Sequence, residues 1–329
     1  MPKPRHSPLR RLRRPVRRGK QPYGRRNHFL CGKRQPLHML QLWIYRGMDR
    51  RRGHRKGQKQ PQGKIITKLK GHKMNLQFNT FLAANYHSAT QIARVLTENW
   101  VAENMFCPRC GNLNINHFPN NAPVADFYCP ICKNEYELKS KNGSLEHKVN
   151  DGAYEAMINR ITSYKNPDFF FMNYSKTEQC VKDFILVPKH FFVPDIIEKR
   201  NPLSKKARRA GWVGCNIILS KIPSQGRISI VSNGNIEDVS TIVNRVRKST
   251  ELTIIDMNAR GWVMDILNCV NLMPDKEFLL SDIYSFEKIL SLKHPKNNNI
   301  QAKIRQQLQF LRDKGFIEFL GCGRYRKIL

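Results

Sequence analysis

Two groups of side chains in this 329-residue sequence have types and spacings suited to chemistry. The first is sulfur. Cys107 and Cys110 form one CxxC pair, Cys129 and Cys132 form a second, and 18 residues separate the pairs. Two residues between thiolates let one tight turn aim both sulfurs at one ion, and four sulfurs complete a tetrahedral zinc shell. With no position left for water or substrate, such a zinc is structural. The rival reading, two redox-active CxxC motifs, does not explain a second pair at this spacing. Cys31, Cys180, Cys215, Cys269 and Cys322 are scattered and read as packing residues.

The second group is Asp126 with Glu137, Leu138 and Lys139, placed on either side of the second CxxC pair. In a strand, Glu137 and Lys139 share a face while Leu138 points to the other. Two carboxylates can hold Mg2+ while waters and phosphate oxygens complete its shell. Such an ion neutralises transition-state charge and lowers the pKa of an attacking water. Lys139 can position that water, deprotonate it, or stabilise a pentacovalent phosphate. Taken alone, Glu-x-Lys is commonplace, and a solvated salt-bridge face is its default meaning. The combination on adjacent strands after a helix, in a chain that also carries a DNA-binding module, favours catalysis.

Those residues need a scaffold. Residues 88–103 carry Ile92, Val95, Leu96, Asn99 and Trp100 at helical spacing, with Ser88 able to cap the start. Strand-like pieces follow at 123–128, containing Asp126, and at 135–139. If they pair across the zinc turn, Asp126, Glu137 and Lys139 converge. A helix is expected over 151–164, begun by Asn150 or Asp151. The apolar runs 169–172 and 184–187 read as buried strands, and 217–219 and 228–231 as further ones. The stretch 232–251 reads as a connection. This order predicts a mixed α/β core. Beyond residue 256 the pattern changes to helices over 261–272, within 278–292 and over 299–313, then a strand, turn and strand. Ser281 is the expected cap of the second, with Tyr284, Phe286, Ile289 and Leu290 on its buried side. Three helices and a hairpin make a winged helix-turn-helix.

Charge divides the chain. It carries 58 Lys and Arg against 25 Asp and Glu, a formal net charge of +33. Residues 1–73 hold 24 of those cations against Asp49 alone. Such a segment buries too little apolar surface to offset its ordering entropy, so it is expected to be disordered. It reads either as a basic arm for nucleic acid or as an extension before the true start at Met74. Expected domains are therefore this extension at 1–73, a core at 74–256 and a winged helix at 257–329. Hydrophobic content of 40% is too high for a wholly disordered chain. No run of about 18 apolar residues and no secretory signal occurs, so a cytosolic protein without a membrane partner is expected.

Asp126 with Glu137-Leu138-Lys139 resembles the PD-(D/E)xK nuclease motif, with Ala125 where the motif has proline. That proline supplies no ligand, so the departure leaves the chemistry intact. More narrowly, the sequence is similar to the DpnI-like methyl-directed (type IIM) restriction endonucleases. The likeness runs through residues 93–100, both CxxC pairs, 150–154, 207–216 and 304–309, and covers essentially all of 74–329. It implies an α/β PD-(D/E)xK restriction-endonuclease-like core with an embedded four-cysteine zinc site, plus a C-terminal winged helix-turn-helix. It also implies Mg2+ held by Asp126, Glu137 and the Leu138 carbonyl, with Lys139 completing the site. The implied substrate is double-stranded DNA at GATC sites carrying N6-methyladenine.

For reading that DNA, residues 299–313 are the candidate recognition helix, since such a helix enters the major groove where base edges are exposed. Its non-core face offers Gln301, Lys303, Arg305, Gln306 and Gln309. Arg324, Arg326 and Lys327 in the wing suit phosphates. Trp212, with Arg208 and Arg209 nearby, is the candidate wall of a methyl pocket, although a Trp between two glycines is more often core. A second methyl reader in the winged helix is implied by the resemblance alone. The expectation is a monomeric, Mg2+-dependent and zinc-containing endonuclease. Its rivals are a non-catalytic zinc-ribbon and winged-helix regulator, and a nuclease of the same core with another target.

Overall fold

Phe169, Phe170, Phe171 and Met172 form a run that the fold buries completely, so its strand must be covered on both faces. A computed structural model of the chain describes residues 73–119, 125–145, 147–163 and 165–328. The expectations for the basic segment 1–73 (Lys73 apart), for Cys31, and for Pro123 and Val124 lie outside the described residues. In chain order the first part contains α1 (Ala89–Asn104), β1 (Asn116–His117), β2 (Phe127–Tyr128), β3 (Glu135–Asn142) and β4 (Lys148–Ala153). There follow α2 (Tyr154–Thr162), β5 (Asp168–Ser175), β6 (Cys180–Val187), β7 (Ile197–Lys199) and β8 (Gly214–Ile218). Then come β9 (Ile228–Ser232), β10 (Asn235–Ile236) and α3 (Val239–Thr250). Among the described residues no helix is long and apolar enough to cross a membrane.

The main sheet runs β1-β2-β3-β5-β6-β9-β10, antiparallel except for β3 against β5. A parallel pair requires a crossover. The chain makes it through β4 and α2, and β4 joins β8 and β7 in a separate sheet of order β4-β8-β7. The mixed α/β class expected from the sequence is what the chain adopts. Alternation along β5 sends Phe170 and Met172 to one apolar cluster, with Trp100 and Val101 of α1 and Ile242 and Val246 of α3. Phe169 and Phe171 enter the other, with Met157 and Ile161 of α2 and Ile217 of β8. Phe170 stacks on Tyr136 at 4.7 Å and tilts against Phe184 at 5.0 Å. Phe170→Ala is expected to cost about 3–5 kcal/mol in denaturant unfolding, the usual range for truncating a fully buried ring. A loss under about 1 kcal/mol would contradict that packing.

Several expectations are corrected. Asn150 and Asp151 do not start a helix: they pair in β4 with Asn216 and Cys215 of β8, and α2 begins only at Tyr154. Their backbone groups are taken by the ladder, which outweighs their capping tendency. Asp126 lies one residue before β2 instead of within a strand. Ser88 precedes α1, yet its hydroxyl bonds that of Thr90 at 2.9 Å and makes no cap bond. The supposed connection at 232–251 contains α3, capped by Asp238 Oδ2 on the Thr241 N–H at 2.9 Å. Its Val239, Ile242, Val243 and Val246 are buried at helical spacing, a signal diluted by the polar residues between them.

The C-terminal part comprises α4 (Met257–Leu272), β11 (Glu277–Leu279), α5 (Leu280–Tyr284), α6 (Glu287–Lys293), α7 (Ile300–Asp313), β12 (Ile317–Gly321) and β13 (Arg324–Lys327). Asp256 starts α4 four residues before the expected Gly261 by accepting the Ala259 N–H at 2.7 Å. The helix expected within 278–292 is instead two short helices, preceded by the strand β11. Asp282, not Ser281, accepts the Leu279 N–H at 2.7 Å, and Ile289 is 56% exposed. The periodicity of α7 holds: Ile300, Ile304, Leu308 and Leu311 are all buried. Strands β11, β13 and β12 form the small sheet of the wing. Trp262, Val263 and Ile266 of α4 share one apolar cluster with Ile304 and Leu308 of α7 and with Val187, Phe192 and Ile222 of the first part.

Candidate functional site

The two CxxC segments fold into matching knuckles. In the first, the Cys107 N–H donates to Asn112 O at 2.7 Å and the Gly111 N–H to Cys107 O at 2.8 Å. In the second, Cys129 donates to Asn134 O at 2.9 Å and Lys133 to Cys129 O at 3.0 Å. Each turn needs a left-handed residue just after its second cysteine, Gly111 at φ 76° and Lys133 at φ 59°. Folded this way, the four Sγ atoms lie within 4.8 Å of one another. Cys107 to Cys132 and Cys110 to Cys129 are both 3.6 Å. Sulfurs around a tetrahedral zinc with bonds of about 2.3 Å stand about 3.8 Å apart, so the cluster fits that ion. Hydrogen bonds from the Cys107 and Cys132 thiols draw the Cys110 pKa down.

A ring of polar contacts ties this cluster to the strand beyond it. The Tyr136 hydroxyl contacts Cys107 Sγ at 3.0 Å. Arg109 donates to Asn134 Oδ1 at 2.9 Å, and Asn134 donates to the buried Asp168 at 2.7 Å. The knuckles thereby fix the start of β3, and Glu137 follows Tyr136 directly.

Strands β2 and β3 pair with Phe127 opposite Tyr136, so Asp126 stands across the ladder from Glu137. The Asp126 N–H donates to Tyr136 O at 3.0 Å, and Asp126 Oδ2 accepts the Leu138 N–H at 2.7 Å. A strand residue directs its N–H and C=O to the same side, which puts the Leu138 carbonyl on the Asp126 edge. Glu137 Oε1 lies 2.5 Å from Lys139 Nζ, and Glu137 Oε2 pairs with Arg160 of α2. Lys139 also pairs with Asp151 of β4.

These groups line a cleft of about 550 Å3 whose walls include Glu137, Lys139, Asp151, Asn159, Arg160 and Lys165. Asp126 is not among them. A larger hollow of about 670 Å3 has Asp183 in its wall, already engaged by Asn173 and the Asn233 N–H. Burial raises the pKa of both Asp126 and Glu137 above the usual carboxylate range, despite the Leu138 N–H at the one and Lys139 and Arg160 at the other. For Lys139, burial works against the ammonium, but Glu137 and Asp151 outweigh it and raise its pKa. Two desolvated carboxylates facing each other across the β2–β3 ladder, with a neighbouring carbonyl, are hard-oxygen donors of the kind Mg2+ takes. The residues present therefore fit such an ion.

Asp151 and Arg160 escaped the sequence reading. Asp151 stood in view inside the run 150–154 but was assigned to a helix start; Arg160 carried no signal beyond its place on a helix.

The DNA-reading candidates sit as follows. On α7, Gln301, Arg305, Gln306 and Gln309 are exposed and Lys303 is half-buried. Gln301 donates to Glu287 at 2.8 Å, Lys303 to Gln306 at 2.8 Å, and Arg305 to the Tyr284 hydroxyl at 2.5 Å. In the wing, Arg324 is exposed. Arg326 bonds Glu277 at 2.8 Å and Glu318 at 3.2 Å, and Lys327 donates to Met273 O at 2.5 Å, near the end of α4. Trp212 is half-buried, with its indole over Gly214, where an added Cβ would lie 2.8 Å from the ring. The Arg209 guanidinium stacks 4.5 Å from the indole, and Arg208 is exposed beside it.

Comparison with known families gives two matches. Residues 74–254 match the family model described as the Dam-replacing family, and residues 258–327 match that of the Dam-replacing HTH domain.

Proposed function

The chain belongs to the Dam-replacing family, and on that premise we propose that it is a methyl-directed endonuclease cutting DNA at GATC sites that carry N6-methyladenine. The observation that carries the reading is the cluster of Glu137, Lys139, Asp151 and Arg160 in one cleft, with Asp126 across the ladder from Glu137. Asp126, Glu137 and the Leu138 carbonyl would hold Mg2+, which when bound neutralises phosphate charge and acidifies water. Lys139, set between two carboxylates, offers an ammonium to a water or a phosphate oxygen, since a group so placed keeps its proton. Arg160 adds a second positive charge for the phosphate. The four cysteines would carry a structural zinc.

In the second half of the chain, α7 would enter the major groove with Gln301, Lys303, Arg305, Gln306 and Gln309 toward base edges. Arg208, Arg209 and Arg324 would meet phosphates; Arg326 and Lys327 would do so only by leaving their present partners. Burying one methyl group is worth about 0.8 kcal/mol, roughly fourfold in affinity. Methyl selectivity therefore needs more than contact, and the Trp212 indole backed by Gly214 is a rigid wall that leaves unmethylated adenine with an unfilled space.

Matched methylated and unmethylated plasmids, each incubated with and without Mg2+, test the reading. Cleavage is expected only for methylated plasmid with Mg2+. Binding with both plasmids intact would instead support a regulator. Cleavage of both would support a nuclease with another target.

A further inference from the structure

Asp151 is not among the groups assigned to the divalent ion above, yet its carboxylate pairs with Lys139 beside them. Strand β4 pairs with β8 through Asp151 opposite Cys215, then slips register before Ala153, leaving Gly152 as the extra residue of a bulge. Bulges turn a strand and redirect its side chains. Just before this bulge, the Asp151 carboxylate is 8% exposed and pairs with Lys139, a residue of the other sheet.

Lys139 has two carboxylate partners, but they are not equally available. Glu137 is shared with Arg160 and, in the nuclease reading, would also be drawn to a divalent ion. An ion that takes Glu137 removes one acceptor from Lys139 and adds two positive charges beside it. A lysine side chain regains rotamer entropy by swinging away. Asp151 is the acceptor that remains.

We propose that Asp151 is a positioning residue that holds the Lys139 ammonium in the cleft while Glu137 is engaged by the divalent ion. The inference rests on the nuclease reading. Its test uses the full chain and the variants Asp151→Asn and Asp151→Glu, with three measurements. These are single-turnover cleavage of methylated duplex in saturating Mg2+, duplex affinity in Ca2+, and Ca2+ affinity by calorimetry.

Asp151→Asn is expected to slow cleavage about 100-fold, as for loss of a positioned proton-handling group. Duplex and Ca2+ affinities should stay within about twofold, the mark of a contribution made only in the transition state. Asp151→Glu keeps the charge and should recover about tenfold or more of that loss. An unimpaired Asn variant, equal losses in both variants, or a fall in Ca2+ affinity, which would make Asp151 a metal ligand, each overturn the inference alone. Wild-type protein that leaves methylated duplex uncut overturns the nuclease reading, and this inference with it.

Discussion

Asp126→Asn is expected to bind methylated duplex as tightly as the unaltered protein and to cut it at least about 1,000-fold more slowly. The size follows from what is removed: several kcal/mol of metal-borne charge stabilisation, each 1.4 kcal/mol being tenfold in rate. Asparagine is the informative substitution because of what Asp126 does in the fold. Its Oδ2 accepts the Leu138 N–H at 2.7 Å, closing the end of the β2–β3 ladder. Alanine would orphan that N–H at a cost of about 1–3 kcal/mol, mixing a folding defect with a catalytic one. An amide oxygen can still accept the bond, so Asp126→Asn separates charge from scaffold. Lys139→Ala should lose cleavage similarly, although it also leaves Glu137 and Asp151 close together without their shared cation. Cleavage by Asp126→Asn within about tenfold of the unaltered protein would remove Asp126 from the metal site.

How far the sequence disclosed all this depended on the range of each signal. The four cysteines were legible because zinc spacing is local: two turns of fixed length do the work. The uninterrupted apolar run at Phe169–Met172 and the period of α7 were legible for the same reason, since each signal lies within one element. Glu137 and Lys139 could be placed on one face from their spacing alone. Asp151 could not, because its role is set by pairing with Cys215, 64 positions away, and by a bulge that no pattern announces. The same holds for the break between α5 and α6. It places Ile283 and Leu290 inside and leaves Ile289 exposed, where Ile289 was expected on the buried side. The expected convergence of Asp126 with Lys139 also depended on side-chain choice: in the fold, Asp126 turns to a backbone N–H and Asp151 takes the lysine.

The second large effect is expected from sulfur. Metal analysis of undenatured protein should find one zinc per chain, and Cys107→Ser should reduce that to none. Structural zinc contributes about 10–16 kcal/mol in isolated fingers, comparable to the whole stability of a domain. The consequence should therefore exceed that of any single core truncation. Cys107 is the strongest choice because it is fully buried and contacts the Tyr136 hydroxyl, so loss of its thiolate is felt next to β3. Tyr136 in turn precedes Glu137 in β3 and stacks on Phe170, which carries the damage into the cleft and into the core together. Melting should drop by at least about 10 °C, given about 2–4 °C per kcal/mol for a chain of this size, and cleavage should fall with it. Cys180→Ser is the control: this thiol is buried but lies outside the four-sulfur cluster, so zinc should stay at one per chain. Zinc retained in Cys107→Ser would remove Cys107 from the ligand set, and zinc absent from the unaltered protein would show that the knuckles hold their shape by hydrogen bonds alone, so that β3 would need another anchor.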